Sequence, residues 1–200
     1  MVKNMWNARY SNPDYVYGTA PNDYLRLNAH RIPRGRVLSL AEGEGRNGVY
    51  LATQGYDVTG VDSSSVGLEK AQRLAKVRAV TITTVVADLA QFPIEPNSWD
   101  GVVSIFCHLP SALRAEVHQR VVAGLRPGGC LLLEAYTPKQ LAFKTGGPQD
   151  ADNMPDLESL RRELVGLRFE HAEELEREVN EGEHHFGRGA VVQVLAFKDA

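Results

Sequence analysis

A glycine-rich segment and an acidic residue downstream of it are the groups in this sequence best suited to binding a nucleotide. Residues 43–48, with the sequence GEGRNG, match the pattern G-x-G-x-x-G, and Asp62 lies 19 residues after Gly43. Glycine lets the backbone approach a ligand closely, and a carboxylate accepts hydrogen bonds from two ribose hydroxyls. The spacing therefore predicts an adenosine-type ligand, and the alternative is a tight turn with Asp62 as a helix cap.

Acidic residues beside this segment distinguish between two kinds of nucleotide ligand. Glu42 and Glu44 flank Gly43, and Asp88 ends the third apolar run. A dinucleotide places its pyrophosphate on the helix N-terminus, where carboxylates are unfavourable. The three acids instead favour a ligand with an adenine amino group, ribose hydroxyls and a cationic amino-acid tail, which describes S-adenosylmethionine. A nicotinamide-dependent oxidoreductase using the same glycine segment is a disfavoured alternative.

The elements that must position these residues follow from the hydrophobic pattern. After Pro33, short β-branched runs alternate with amphipathic stretches, which predicts a parallel sheet covered by helices on both faces. The predicted strands are residues 36–41, 56–62, 80–87, 99–106 and 130–136. Helices are predicted over 46–54, after the capping candidates at 63–65, and from Ser111, itself a capping candidate, onward.

The two ends of the chain differ from this alternating core. Residues 22–31 contain a predicted helix, and a helix over 157–167 precedes two strands, 168–179 and 183–198, joined by a hairpin turn at 180–182. A long Gly/Pro/Asp-rich loop of the kind that is often functional separates them from the core. We expect one domain over 1–200, with an N-terminal lid (1–35), a cofactor-binding core (36–136), a substrate loop (137–155) and a C-terminal helix and hairpin (156–200).

Five motifs, taken in order, resemble those of the class I methyltransferases. Residues 37–47, VLSLAEGEGRN, are similar to the family's first motif, commonly VLDLGCGxGRN. The other four motifs are 61–62 (ribose), 87–89 (adenine), 99–106, and LRPGG at 125–129 before the fifth strand. The resemblance implies an α/β fold, a doubly wound Rossmann-like seven-stranded sheet, mostly parallel, with an antiparallel C-terminal hairpin.

The resemblance also implies S-adenosylmethionine as cofactor and a set of residues that contact it. These are Arg9, Ala41, Glu42, Gly43, Gly45, Asp62, Ser63, Asp88, Leu89 and Phe106. Arg9 is the candidate partner of the cofactor carboxylate, because a guanidinium binds a carboxylate in a bidentate manner; a surface role is the alternative. Ser39 and Ala41 replace the usual Asp and Gly, and Glu42 replaces the common Cys, so Glu42 is expected to take over part of the loop-bracing role.

Within the family, the tellurite-resistance and thiopurine-type small-molecule branch is the most similar. The residues that carry this resemblance are Trp6, 9–10, 17–18, 21–22, 45–47 and the C-terminal hairpin. It implies a small-molecule methyl acceptor such as a thiol, selenium or tellurium compound. A non-catalytic S-adenosylmethionine-binding protein remains an alternative.

His108 is the candidate catalytic residue, because it follows the fourth strand, where the family places residues that face the acceptor. Histidine titrates near neutrality and serves as a general base; a cap on the helix from Ser111 is the alternative. Tyr10 and Tyr17 are candidates for an aromatic lid or for core packing. His184 and His185 are expected to be exposed strand residues.

Composition and charge exclude several other classes. The 200 residues carry a net charge of −3, which offers no general attraction for nucleic acid, and no apolar run reaches membrane-spanning length. The N-terminal residues show no signal-peptide pattern, so we expect a cytoplasmic protein. Cys107 and Cys130 lie in apolar runs and are expected to be buried reduced thiols. No metal site is predicted, and the oligomeric state stays open.

Overall fold

The described part of the chain, residues 2–182 and 185–199 of a computed structural model, forms a seven-stranded sheet. The strands are β1 (Arg36–Leu40), β2 (Asp57–Asp62), β3 (Thr83–Val86), β4 (Trp99–Ile105), β5 (Leu125–Tyr136), β6 (Leu167–Asn180) and β7 (Phe186–Lys198). Their order is β3-β2-β1-β4-β5-β7-β6. β1 to β5 are parallel, and β7 is antiparallel to both β5 and β6.

Helices cover both faces of this sheet. They are α1 (Val2–Tyr10), α2 (Asp23–Asn28), α3 (Arg46–Thr53), α4 (Ser65–Val77), α5 (Ser111–Gly124) and α6 (Leu157–Glu163). Successive strand residues point to opposite faces, so Val37 packs with α2, α3 and α4, whereas Leu38 packs with α5 and α6. The predicted α/β fold and its antiparallel hairpin are therefore confirmed.

The carboxyl ends of β1, β2 and β4 meet at one edge of the sheet. The register pairs Leu40 of β1 with Val61 of β2 on one side and with Ser104 of β4 on the other. In such sheets, ligands bind at this edge, where the strand order changes direction. The first connection, between β1 and α3, is the glycine segment.

Several local expectations differ from the structure. The third strand is shorter than predicted, at Thr83–Val86, and the fifth begins at Leu125, within the segment expected to precede it. The N-terminal lid contains a second helix, α1, whose weak apolar periodicity gave no signal. The helix predicted to reach residue 167 ends at Glu163, because β6 begins at Leu167. The side chain of Ser111 does not cap α5; its backbone N–H instead donates to Asp152 Oδ2, from the 137–155 loop, at 3.0 Å. Among the described residues, no helix is both long and apolar enough to cross a membrane.

Candidate active site

The glycine segment forms a tight loop against α4 and the N-terminal residues. Gly43 and Gly45 have φ angles of 60° and 97°, which favour glycine. A Cβ at Gly45 would lie 2.6 Å from the Ala71 Cα, and a Cβ at Gly43 would lie 2.8 Å from the Tyr10 hydroxyl. Both positions therefore require glycine, for backbone conformation and for space. Ala41, between β1 and this loop, also has a positive φ of 49°.

Asp62 ends β2 and ties the loop to α4. Its Oδ2 accepts a hydrogen bond from the Gly43 N–H at 2.9 Å, and its Oδ1 accepts from the Ser64 N–H at 2.8 Å. Each carboxylate oxygen has a second lone pair, so both can still accept from a ligand. Burial raises the pKa of Asp62 above its usual value, an effect that these backbone hydrogen bonds oppose. The carboxylate thus lies at the edge where the sequence predicts ribose binding.

Glu42 braces the loop from inside. Its Oε1 accepts from the Gly48 N–H at 2.8 Å, and a Cβ at Gly60 of β2 would lie 2.7 Å from its Cγ. Burial raises the pKa of Glu42 to about 7, while hydrogen bonds from Ser39 and Gly48 lower it. The side chain therefore points into the fold and stabilises the loop. This is the role expected of Glu42 because Ser39 replaces the aspartate that is usual in the family.

Glu44 is neutralised by a lysine of α4. Lys70 Nζ forms a buried ion pair with Glu44 Oε1, and Glu44 Oε2 accepts from the Tyr17 N–H at 3.2 Å. The expectation that Glu42 and Glu44 direct their charges toward a cationic ligand is therefore wrong for both side chains. The sequence shows that both residues are acidic, but it does not show which groups they contact after folding. Lys70, the partner of Glu44, lies on α4, more than 20 residues away in the chain.

The N-terminal residues lie over the glycine loop. Lys70 Nζ donates to the carbonyls of Asn12 at 2.8 Å and Asp14 at 2.6 Å. The Tyr10 ring packs between Gly43 and Gly67, because a Cβ at either glycine would contact it within 3 Å. Together with the contact between Tyr17 and Glu44, these contacts position residues 10–17 over the glycine loop, and this segment is called the N-terminal cover.

Arg9 lies at the outer surface of this cover. Its Nη1 donates to the Tyr17 hydroxyl at 2.9 Å, and its guanidinium lies 5.0 Å from the centre of the Trp6 ring. The Trp6, Tyr10 and Tyr17 rings pack at centroid distances of 5.5 to 6.5 Å. Cofactor binding by Arg9 stays a prediction, as does the aromatic lid.

An aromatic cluster lies at the carboxyl ends of β4 and β5; its members are Tyr17, Phe106, His108, Tyr136 and His185. Phe106 follows β4 with a φ of 51°, and its ring centroid lies 4.6 Å from those of Tyr136 and His185. Tyr17 reaches the same group from the N-terminal cover, 4.8 Å from His185. The expectation of an exposed His185 is wrong, since it is 8% exposed. The hairpin folds it back onto the sheet edge; His184 lies outside the described residues.

His108 holds the ends of β4 and β5 together. Its Nε2 accepts from the Tyr136 backbone N–H at 3.1 Å, and the Phe106 backbone also hydrogen-bonds to it. Burial and the nearby Arg114 guanidinium lower the pKa of His108 to about 3. The role of general base is therefore not supported, because an imidazole with so low a pKa is a very weak base and its Nε2 lone pair is occupied. The cap alternative is also wrong, since Asp152 caps α5.

The adenine-side residues lie beside Asp62, as the motif order implies. Asp62 of β2 pairs with Val86 of β3, so Asp88 and Leu89 follow at the same edge as Ser63. Asp88 is exposed and its Oδ1 accepts from the Ala90 N–H at 2.9 Å, while Leu89 is buried. Their cofactor contacts stay predictions.

The 137–155 loop packs on β7 and on the aromatic cluster. Gln140 Oε1 accepts from the Ala190 N–H of β7 at 2.9 Å, which fixes the start of the loop. Further along, a Cβ at Gly147 would lie 2.8 Å from the Tyr136 ring, so the loop backbone packs directly on the aromatic cluster. A substrate-binding role for this loop stays a prediction.

A buried ionic network behind the aromatic cluster was missed by sequence reasoning. Arg177 pairs with Glu134 and Glu181, and Arg46 Nη2 pairs with Glu181 Oε2 at 2.5 Å. Asn22 Nδ2 donates to Glu181 Oε1 at 2.8 Å across 159 residues of sequence. The partners come from α3, β5, β6 and the hairpin turn, so no local pattern could have revealed them.

The two cysteines are not reactive in this environment. Cys107 and Cys130 are free and buried, and burial raises the pKa of each thiol to about 12. A thiol with so high a pKa is not a thiolate at neutral pH. The described residues contain no group of three His, Cys, Asp or Glu side chains that could hold a metal ion.

Comparison with known proteins identifies the core of the chain. Residues 37–129 match the family model described as "Methyltransferase domain", from β1 into β5. The tRNA (uracil(54)-C(5))-methyltransferase of Pyrococcus horikoshii is 28% identical over 116 residues, which cover 51% of this chain. The chain spans 28% of that relative's length.

Solved structures share the fold over the whole chain. A structure described under "Conversion of a Disulfide Bond into a Thioacetal Group during Echinomycin Biosynthesis" superimposes with a TM-score of 0.79 at 18% identity, covering 100% of this chain and 92% of that one. Magnesium protoporphyrin IX methyltransferase from Synechocystis PCC 6803, solved with bound S-adenosylhomocysteine, gives a TM-score of 0.69 at 17% identity, covering 99% and 98%. At these identities the likeness shows the fold alone.

Proposed function

We propose that this chain, whose residues 37–129 match the methyltransferase domain family, is a class I S-adenosylmethionine-dependent methyltransferase that transfers a methyl group to a small-molecule acceptor bound against the aromatic cluster. The cofactor supplies the methyl group on a sulfonium, which the acceptor displaces in line. The residues of the chain would bind both reactants, align them and exclude water.

The residues at the sheet edge fit this cofactor. Gly43 and Gly45 form a cradle that any Cβ would obstruct, and Asp62 has lone pairs available for ribose hydroxyls. In this proposal Ala41, Ser63 and the backbone of Glu42 complete the contacts near the loop. Asp88 and Leu89 contact the adenine, and Phe106 lies toward the methyl group.

Enclosure of the acceptor side is the observation that supports a small acceptor. The 137–155 loop packs on Tyr136 through Gly147, while the hairpin turn packs on the N-terminal cover: a Cβ at Gly182 would lie 2.4 Å from the Tyr17 Cα. Three segments therefore meet over the ends of β4 and β5. An acceptor that binds beneath these three segments would be a small molecule rather than a folded RNA, although one relative is named as a tRNA methyltransferase.

The environment favours an acceptor that arrives without a proton to lose. His108 is a very weak base and its Nε2 lone pair is occupied, so it is not available to remove a proton from the acceptor. A thiolate, or a selenium or tellurium oxyanion, needs no base, and polarisable sulfur packs well against aromatic rings. This supports the thiol, selenium or tellurium acceptors that the family resemblance implies. The proposal includes a cytoplasmic location, which two free buried cysteines support.

A two-stage experiment tests the proposal. Calorimetric titration with S-adenosylmethionine, S-adenosylhomocysteine and NAD is expected to show binding of the first two alone. Transfer of a labelled methyl group is then measured with small thiols, selenite, tellurite, and tRNA and rRNA transcripts. Turnover of a small acceptor supports the proposal. Turnover of RNA alone, binding of NAD alone, or binding of the cofactor without any turnover each contradicts it.

A further inference from the structure

Residues 88–92 form a turn shortly after β3, at the edge of the sheet where the proposed function places the adenine. The N–H groups of Gln91 and Phe92 both donate to the Asp88 carbonyl at 2.9 Å. The Ala90 N–H donates to Asp88 Oδ1, also at 2.9 Å. Asp88 itself therefore satisfies three N–H groups of this turn.

Two polar groups of the turn remain available to a ligand. Among the residues that the structure describes, neither the Leu89 N–H nor Asp88 Oδ2 has a hydrogen-bond partner. A donor next to a carboxylate acceptor matches adenine, because the adenine N1 accepts a hydrogen bond and the 6-amino group donates one. In the proposed function, these are the groups that the adenine contacts.

Arg120 of α5 holds two backbone carbonyls of this turn. Its Nη2 donates to the Leu89 carbonyl at 2.7 Å, and its Nη1 donates to the Phe92 carbonyl at 2.6 Å. Its Nε donates to the Glu116 carbonyl of the same helix at 3.4 Å. No carboxylate of the described residues forms an ion pair with this guanidinium, so backbone carbonyls alone satisfy its charge.

These contacts fix the orientation of Leu89 from two sides. A guanidinium presents its N–H groups in a rigid planar arrangement, so it holds two carbonyls at set positions. The Leu89 side chain is buried in the same apolar cluster as Val117 and Val121 of α5. Because the Cα is tetrahedral, fixing both the side chain and the carbonyl also fixes where the Leu89 nitrogen lies.

We propose that Arg120 is a positioning residue for purine selection. By holding the Leu89 and Phe92 carbonyls, it keeps the Leu89 N–H and the Asp88 carboxylate where they match adenine and reject a purine with the opposite pattern of donors and acceptors. Its own donors are used by the backbone, so Arg120 acts through the turn. This role rests on the proposed function, because it requires S-adenosylmethionine at this edge.

The test compares two ligands that differ only in the purine. S-adenosylhomocysteine has an acceptor at N1 and an amino group at C6, whereas S-inosylhomocysteine has an N–H at N1 and a carbonyl at C6. In calorimetric titration, the unmodified protein is expected to prefer S-adenosylhomocysteine by about 30-fold or more, because the inosine ligand leaves polar groups unpaired. Arg120→Gln is expected to weaken S-adenosylhomocysteine about 10-fold and S-inosylhomocysteine less than about twofold. Arg120→Lys keeps the charge and one donor, so a loss of about threefold for S-adenosylhomocysteine is expected.

Arg114→Gln is the matched control, because Arg114 is a buried arginine of the same helix that instead holds the Asp152 carbonyl of the 137–155 loop, at 3.0 Å. It is expected to lower the melting temperature and to leave the ratio of the two affinities unchanged. Equal losses for both ligands in Arg120→Gln, no loss in Arg120→Gln, or the same change of ratio in Arg114→Gln overturns the proposal. If Arg120→Gln does not fold, Arg120→Lys is judged by the same criteria.

The unmodified protein separates this proposal from the proposed function. If it binds neither ligand, the cofactor assignment fails, and the role of Arg120 fails with it. If it binds both ligands equally, the cofactor assignment stands and the role of Arg120 in purine selection fails.

Discussion

Lys70 and Glu44 form a buried ion pair that joins α4, the glycine loop and the N-terminal cover. Lys70 is 1% exposed, and its ammonium also donates to the backbone carbonyls of Asn12 and Asp14. Glu44 in turn accepts from the Tyr17 N–H. One pair of charges therefore fixes both the loop that approaches the cofactor and the segment that covers it.

Removing the lysine charge should destabilise the fold and release the cover. Lys70→Met leaves Glu44 buried without its partner, so we expect a loss of about 3–5 kcal/mol in the free energy of unfolding, measured with urea. Hydrogen exchange of residues 10–17 should become faster. Lys76→Met, exposed on the same helix, is the control, with a change of about 0.5 kcal/mol or less. A similar small change for Lys70→Met would show that the pair does not hold the cover.

The Glu42 brace should make stability depend on pH. An unfolded glutamate ionises near pH 4.5, whereas the folded Glu42 keeps its proton until about pH 7 because burial raises its pKa. The folded state therefore binds more protons between these values, and stability falls as pH rises from 4.5 to 7. Above pH 7 the cost is on the order of 3 kcal/mol.

Glu42→Gln keeps an acceptor for the Gly48 N–H and removes the charge. We expect this variant to be more stable than the unmodified protein at pH 8, and similar to it at pH 4.5, by urea denaturation. Glu158→Gln, at an exposed position of α6, is the control and should leave the pH dependence unchanged. Parallel pH curves for Glu42→Gln and the unmodified protein would refute the raised pKa of Glu42.

His108 should stay neutral throughout the physiological range. Its pKa is lowered to about 3 by burial, so between pH 3 and 6.5 the unfolded state binds more protons than the folded state. Its contribution to stability is complete above pH 6.5 and is lost as the pH falls toward 3. NMR titration of the ring should show no protonation from pH 8 to pH 5. Titration near pH 6.5 would restore the ring as a general-base candidate.

Asp62 should contribute to cofactor affinity through the ribose. Asp62→Ala is expected to weaken binding of S-adenosylhomocysteine by about 1.5–3 kcal/mol, the range for hydrogen bonds to a charged group, in calorimetric titration. Asp57→Asn, at the exposed start of β2, should leave the affinity unchanged. A folded Asp62→Ala variant with unchanged affinity would show that the ribose binds elsewhere.

The sequence by itself determined the order of elements and the place of the cofactor loop. Strand and helix periodicity, the positive-φ glycines and the Asn180-Glu181-Gly182 turn are local properties, because each depends on residues close together in the chain. Local sequence also placed Asp62 at the end of β2. It likewise supported the expectation that Glu42 stabilises the glycine loop in place of the usual aspartate. The N-terminal helix α1 was not predicted, because its apolar residues show only a weak helical periodicity.

Only the tertiary structure decided what the charged and aromatic side chains do. Glu44 meets Lys70, His108 binds the backbone of Tyr136 across 28 residues, and His185 is buried by the folding of the hairpin. The network that orients Arg46 likewise joins elements from both ends of the chain. The charge state and the free hydrogen-bonding capacity of such groups depend on burial and on distant partners, and neither is encoded in local spacing.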